Sequence, residues 1–374
     1  MVQFSFFHLM PYAELDEIDR WPVPHRLFDP SIGHHLFGEY LDQMALADEL
    51  GFDWVGCNEH HSTPYGLMSN PNLIGGALTQ RTSRARLAML GNLIPLLNPI
   101  RVAEEYAMLD VMSGGRLIAG FIRGIPNEYI AYSANPDESW ERFAEAYDLI
   151  IRAWTEPEPF AWEGKHWQFR AVSVWPRPLQ QPHPPVLISG GSRESAVFAA
   201  RKRAKMGIVQ LADLEDARAN IQLYRDSAAD FGWTPARDDV LVGLHTHVAR
   251  TDEEAQKALG EAEDYFYRVL GAASGHAGEL VLSGTRYYAT EEAREFRVRR
   301  RGAHGHLTIQ DRVARNTVLC GSPDTVVRQI ETVVKATGAG VLQVNFKIGC
   351  MTDDQVTASM RLFAEEVVPH VRAV

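Results

Sequence analysis

The sequence predicts an α/β fold built of repeated βα units, eight of them, the number a (β/α)8 barrel requires. Three observations predict it. Short apolar or β-branched runs alternate with longer segments whose apolar residues recur at three- and four-residue spacing. Polar residues gather where the short runs end, and helix-start and helix-stop residues flank the longer segments. A doubly wound open sheet shows the same alternation over fewer units, and periodicity leaves both architectures open.

The elements follow in order. Strands are expected at Val2 to Met10, Gly51 to Asn58, Arg86 to Pro95, Arg116 to Ile122, Pro185 to Ser189, Met206 to Leu211, Asp239 to Ala249 and Gly340 to Lys347. Between them, helical spacing marks Gly38 to Leu50, Asn70 to Arg81, Pro99 to Met112 and Glu138 to Trp154. It continues at Arg193 to Lys205, Asp213 to Phe231, Asp252 to Leu270 and Pro323 to Thr337, and Asp353 to Val368 closes the chain. Thr251 before Asp252-Glu253-Glu254 is an N-cap with an acidic first turn, and Pro323 stands at a first helical position. Gly51, Gly207, Gly232 and Gly338 are expected just past helix ends. Three excursions interrupt the repeat, at about 11–37, 155–184 and 271–316. The second is rich in Pro and Trp and reads as ordered; the third, long and carrying Arg297 to Arg301, is a candidate active-site lid. The whole of 1–374 is expected to be one domain.

Composition narrows the function. With 45% hydrophobic and 23% charged residues the chain has the balance of a globular enzyme. A net charge of −11 repels phosphate backbones and anionic lipid, which argues against nucleic-acid and membrane partners. Three cysteines are too few and odd in number for a disulfide framework, and the N-terminus has neither basic nor long apolar character. A cytoplasmic protein is expected.

Reactive groups in such a fold collect at strand ends. Here these are His8, then Asn58-Glu59-His60-His61, Asn92, Arg123, Ser189-Gly190-Gly191-Ser192, His245 and His247, and Asn345 with Lys347. Adjacent residues of extended backbone point to opposite sides, so Glu59, His60 and His61 do not readily share a metal, and none is expected. An imidazole held beside a cofactor as acid, base or hydrogen-bond donor is one reading of this run; a loop cap is the other. Ser189 to Ser195 lies between a strand and a helix, where backbone N–H groups and hydroxyls hold a phosphate, although Gly-Gly-Ser is also an ordinary turn. Arg123 suits a phosphate or a surface ion pair. His245 and His247 share a strand face as pocket lining or as core, and Arg297 to Arg301 either bind an anionic group or form a solvated loop face.

The ordered motifs Asn58-Glu59-His60-His61, Leu67 to Asn72, Leu90-Gly91-Asn92-Leu93, Asn98 to Glu105, Leu109 to Leu117, Gly120-Phe121-Ile122-Arg123-Gly124 and Gly321 to Val326 resemble the bacterial luciferase-like flavin monooxygenases over nearly the whole chain. The resemblance implies a (β/α)8 TIM barrel with insertions that uses reduced FMN, FMNH2, delivered by a separate NAD(P)H:flavin reductase. O2 would then form a flavin C4a-(hydro)peroxide that oxygenates a small organic substrate. It implies that His60 is the histidine beside the flavin and Glu59 its acidic neighbour. Asn92 and Leu93 would support the ring, often through a non-prolyl cis peptide, and Arg123 with Ser189, Gly190, Gly191, Ser192 and Ser195 would hold the flavin phosphate. His8, His245, His247, Arg297 and Lys347 are the candidate substrate-pocket residues, and a homodimer is the family expectation. Two alternatives stand beside this: hydride transfer with FMN or a deazaflavin, and a non-catalytic flavin-binding subunit. The chain departs from the luciferases at Ile122, where they have Cys, and at Gly191, where they have an acidic residue. It also departs in the Tyr12 to Gly33 insertion, which is expected to shape the substrate mouth.

Overall fold

The computed structural model describes residues 1–282, 285 and 307–374. Its strands are β1 (Gln3–His8), β2 (Trp54–Cys57), β3 (Arg86–Leu93), β4 (Leu117–Ile122), β5 (Phe160–Glu163), β6 (Gln168–Val172), β7 (Val186–Ser189), β8 (Lys205–Ile208), β9 (Val240–Val248), β10 (Val318–Gly321) and β11 (Val341–Asn345). The helices are α1 (Pro30–Glu49), α2 (Pro71–Arg81), α3 (Pro99–Met112), α4 (Pro126–Ala131), α5 (Ser139–Thr155), α6 (Arg193–Lys202), α7 (Leu214–Asp230), α8 (Asp252–Tyr265), α9 (Gly271–Leu282), α10 (Ile309–Ala314), α11 (Pro323–Thr337), α12 (Asp353–Leu362) and α13 (Val368–Val371).

Eight parallel strands close into a TIM barrel in the order β1-β2-β3-β4-β7-β8-β9-β11, with β11 pairing back onto β1. Helices cover the outside, so the strands are buried on both faces and read as near-continuous apolar runs; all nine residues of β9 are buried. Register places Ser5 beside Gln343 and Trp54, and Gln343 beside Gly243, which defines one inward-facing layer. The opposite face of β1 packs outward: Phe4 and Phe6 join Phe52, Phe346 and Phe363 in an aromatic layer under the last helices.

All eight expected barrel strands form, and the differences lie between them. The first helix starts at Pro30 rather than Gly38, because Asp29 caps it by accepting the Ser31 N–H at 2.7 Å. The segment expected as an ordered excursion contains the antiparallel hairpin β5–β6, anchored where Glu145 accepts the His166 and Trp167 amides. Gly207 is no helix terminator: α6 ends with Arg203 in the left-handed region at φ 54°, and Gly207 sits within β8.

The helix expected to stop at Leu270 passes through a π-helical turn, Phe266–Leu270, and continues as α9. Packing of Val269 and Ala277 against Ile18 and Trp21 supports this Gly- and Ala-rich stretch against its weak intrinsic preference. Two helices, α9 and α10, thus lie within the 271–316 segment expected as a lid, and a short strand, β10, follows it; β10 takes the edge of β9 beyond β8. Arg297 lies outside the described residues.

Candidate active site

The second strand ends in the run that carries most of the buried polar chemistry. After Cys57 the chain places Asn58, Glu59, His60 and His61 at the barrel mouth, and the two imidazoles diverge. His60 Nδ1 lies 2.9 Å from Glu128 Oε1, and its Nε2 lies 2.8 Å from the Asn58 side-chain amide. With Asn58 donating, the network assigns the ring proton to Nδ1. His61 Nε2 lies 2.6 Å from Glu59 Oε1 and 3.4 Å from the Tyr132 hydroxyl. Glu59 is 1% exposed, and this burial pushes its carboxyl group up from the ordinary range, with His61 and the Leu93 amide opposing the shift.

One short element organises both histidines. Helix α4 supplies Glu128 to His60 and the Asn127 side-chain amide to the His61 carbonyl at 3.1 Å, and its C-cap residue, Tyr132, reaches His61. It forms because Pro126 occupies a first-turn position and the Glu128 carboxylate accepts the Ile125 N–H, satisfying an otherwise orphaned donor. Glu128, fully buried, was not among the residues expected from sequence. Its signal was present as Pro followed two residues later by Glu, a helix-start pattern.

The neighbouring strands supply backbone. Leu93 N–H donates to Glu59 Oε2 at 3.1 Å, so that amide is committed within the chain. Asn92 and Asn72 exchange side-chain amide bonds at 3.0 Å, and Asn72 also donates to Glu105, which ties β3 to α2 and α3. The Leu90–Gly91 peptide is cis and non-prolyl. Strands β3 and β4 approach closely here: a Cβ on Gly91 would sit 2.1 Å from Gly120 O, and one on Gly120 2.2 Å from Met89 O. Tyr106, in the core, donates to Gly120 O at 2.7 Å and fixes the crossing.

The expected phosphate residues lie at the ends of β4 and β7. Arg123 stacks over Trp140 at 5.5 Å, its carbonyl accepting the Tyr129 hydroxyl, and Gly124 turns the chain at φ 98°. Ser192 caps α6, accepting the Ser195 N–H at 3.2 Å, and the two hydroxyls stand 2.9 Å apart. Gly191 is exposed, and a Cβ there would meet nothing within 4 Å, whereas Gly190 is held by its N–H to Gly207 O at 2.8 Å.

The remaining candidates divide. His8 is fully buried against α1: Nε2 meets Gln43 Oε1 at 2.9 Å and Nδ1 accepts the Met10 N–H at 2.8 Å, so neither nitrogen is left for a ligand. Burial holds its pKa down to about 3. Lys347 also faces α1, donating to the Met351 carbonyl, 3.6 Å from Glu39 and over Tyr40. His245 is bound through Nδ1 to Glu263 at 2.8 Å, and Glu263 pairs with Arg312 at 3.1 Å. His247, on the same face of β9, is buried and held neutral by desolvation, its pKa lowered to about 4. An aromatic chain joins the two sides: Tyr65 lies edge-on to His60 at 4.7 Å, Phe266 lies 5.2 Å from Tyr65, and His245 lies 5.3 Å from Phe266. Phe266 belongs to the π-helical turn, a distortion frequent at functional sites.

The barrel thus carries an acid-and-histidine cluster after β2, an arginine after β4 and a serine helix cap after β7. The model of the luciferase-like monooxygenase family matches residues 26–340, and the chain belongs to that family. It is a flavin-dependent monooxygenase on that footing.

The uncharacterised protein y4wF of Sinorhizobium fredii is 36% identical over 186 residues, 49% of this chain and 54% of that protein. The match thus spans little more than half of that relative. The oxygenase component of flavin-dependent trigonelline monooxygenase from Acinetobacter baylyi is 28% identical over 66% of this chain and 69% of that protein. The crystal structure of monooxygenase RslO1 from Streptomyces bottropensis superposes with a TM-score of 0.80 at 30% identity, covering 98% of this chain and 99% of that one. An F420-dependent secondary alcohol dehydrogenase at 18% identity, with a TM-score of 0.70, shares the fold alone.

Proposed function

We propose that the protein is the oxygenase of a two-component system, taking FMNH2 from a separate NAD(P)H:flavin reductase and using O2 to oxygenate a small organic substrate. The observation that carries this reading is the pairing of His60 with Glu128 and of His61 with Glu59 around the Leu93 amide, at the barrel mouth that also presents Arg123 and Ser192. The chain's polar groups fit a bound flavin: among the described residues the buried Asn58 Oδ1 beside His60 and Asn345 Oδ1 at the end of β11 accept no hydrogen bond. Buried acceptors left so are costly unless a ligand donates to them, as ring N–H and hydroxyl groups would.

When bound, reduced FMN supplies two electrons to O2, one oxygen atom passing to the substrate and one to water. Arg123 and the Ser192–Ser195 hydroxyls hold the phosphate, Arg123 offering a planar fork to its oxygens. Leu93 and its strand support the ring. His60, with Nδ1–H fixed on Glu128, presents Nε2 toward Asn58, so a ligand that engages this nitrogen shares it with the Asn58 amide. Tyr65 and Phe266 exclude water beside His60, which protects a reactive site from side reactions.

The whole chain acts as one domain in this reading, and a homodimer forms on α2 and α3. Leu73, Met108, Val111 and Met112 are each exposed there by 44% or more, an apolar group on two helices that pack together. Three free cysteines, two of them buried, fit a cytoplasmic setting; among the described residues no helix is long and apolar enough to cross a membrane. The test is anaerobic titration with FMNH2, followed by admission of O2. Saturable binding with oxygen consumption supports the oxygenase reading; binding without reaction with O2 favours hydride transfer or a non-catalytic subunit, and absence of saturable binding removes the proposal.

A further inference from the structure

The buried Glu59 carboxyl group is connected to the protein surface by two hydrogen-bonding side chains. Its Oε1 lies 2.6 Å from His61 Nε2, and the same nitrogen lies 3.4 Å from the Tyr132 hydroxyl. Exposure rises along this path: Glu59 is 1% exposed, the His61 side chain 11% and Tyr132 42%. The Tyr132 ring stands edge-on to His61 at 4.9 Å, which holds the phenol against the imidazole. At the inner end, Glu59 Oε2 accepts the Leu93 N–H of the strand that supports the proposed flavin ring.

We propose that Tyr132, His61 and Glu59 form a proton relay from solvent to the active site. This rests on the oxygenase reading above. That reaction takes up one proton per turnover when the reduced flavin is anionic: RH + O2 + FMNH⁻ + H⁺ gives ROH + FMN + H2O. Without substrate the balance is FMNH⁻ + O2 + H⁺ giving FMN + H2O2, and the proton is still required. Tyr65 and Phe266 pack beside His60 and limit the access of water that would otherwise deliver it.

The steps balance within the chain. His61 acts as the imidazolium: it passes its Nε2 proton to Glu59 Oε1, the neutral ring, still protonated at Nδ1, takes the Tyr132 hydroxyl proton at the vacated Nε2, and the Tyr132 oxygen takes one from solvent. The imidazolium and the phenol end as they began, and the carboxylate has become the acid. Burial raises the Glu59 carboxyl above its usual range, with the Glu128 charge adding to the effect, which makes the protonated form accessible. The Tyr132 hydroxyl is likewise pushed up, by burial and by Glu59 and Glu128, and so stays protonated as a donor. The ionisable groups facing the path are therefore Glu59, Glu128 and His60, with the Asn127 amide on the His61 carbonyl.

Two measurements test the relay. In the first, wild-type protein loaded anaerobically with FMNH2 and no substrate is mixed with O2, and the return of oxidised FMN is followed by absorbance. His61→Ala should slow this return by about tenfold or more, within the range of general acid–base effects, and imidazole in the buffer should restore it; Tyr132→Phe should slow it less. FMN affinity, titrated separately, should stay as in the wild type. Reoxidation at the wild-type rate in both variants, or no rescue by imidazole, overturns the relay.

The second needs no flavin. The ¹⁵N resonance of His61 Nε2 should move with the ionisation of its partner, and Glu59→Gln should abolish that movement. An identical titration in wild type and variant shows that the pair does not exchange a proton. Failure of the wild type to bind FMNH2 removes the oxygenase reading, and the resonance then decides the relay by itself.

Discussion

Glu128→Gln is the sharpest probe of how the site is held. Glu128 is fully buried, accepts from His60 Nδ1 at 2.9 Å through one oxygen and from the Ile125 N–H through the other, and the Asn127 amide lies 3.4 Å from the first. An amide in its place has one acceptor and one donor end. Whichever way it turns, an NH2 group faces an N–H, either that of Ile125 or that of the His60 ring. A hydrogen bond to a charged group is worth about 1.5–3 kcal/mol, and a buried donor left unsatisfied costs about 1–3 kcal/mol. Part of this is recovered if His60 changes tautomer, at the expense of its bond to Asn58. The expected loss is about 2–4 kcal/mol of folding stability, measured from the midpoint and slope of urea unfolding. The His60 ring ¹⁵N shifts should report the tautomer change. A loss below about 0.5 kcal/mol with unchanged His60 shifts would refute the argument that α4 fixes this histidine.

Gly120→Ala places a methyl group 2.2 Å from Met89 O and 2.8 Å from Leu90 Cα, backbone that has no rotamer to give, and should cost about 3 kcal/mol; urea unfolding within 1 kcal/mol of wild type would show that β3 and β4 can separate. His8 and His247 are held neutral, at about 3 and about 4 against 6.5 for an exposed imidazole. The unfolded chain therefore binds protons below pH 6.5 that the folded chain refuses, and stability falls as pH drops from 6.5 toward 4, by about 1.4 kcal/mol per pH unit for each histidine. His247→Gln should remove one such contribution from the slope of unfolding free energy against pH, and an unchanged slope would contradict the assignment. Leu73→Glu with Met108→Glu should convert a dimer to a monomer in light scattering; a dimer that persists, or a monomeric wild type, would place no interface on α2 and α3.

The barrel was legible because its signals are local. Strand runs, the Thr251 cap and the Pro323 start each follow from a few adjacent residues, and Asn58 to His61, Arg123 and Ser192 stand at strand ends whatever the detailed packing. What was not legible depends on phase or on distance. In a strand buried on both faces, alternation carries no contrast, so nothing in the run Gln3–His8 shows that His8 faces α1 and not the barrel axis. Lys347 misleads for the same reason. The four residues of β10 and the six of α4 are too short for periodicity, and Glu128 reaches His60 across 68 positions of sequence. The continuation of α8 into α9 is a tertiary effect: contacts with Ile18 and Trp21 keep Gly271 to Leu282 helical where composition suggested a loop.

The central claim is that the barrel mouth between Arg123, Ser192 and His60 binds a flavin by its phosphate and holds the ring beside the histidine. The direct measurement is the anaerobic affinity of wild type and Arg123→Ala for FMNH2 and for reduced riboflavin, which differ only in the phosphate. The account predicts tight FMNH2 binding that falls about 10- to 100-fold in the variant, the size of a lost charge-assisted hydrogen bond, with riboflavin bound weakly and equally by both proteins. Equal affinity for the two flavins, or an FMNH2 affinity untouched by Arg123→Ala, would contradict it.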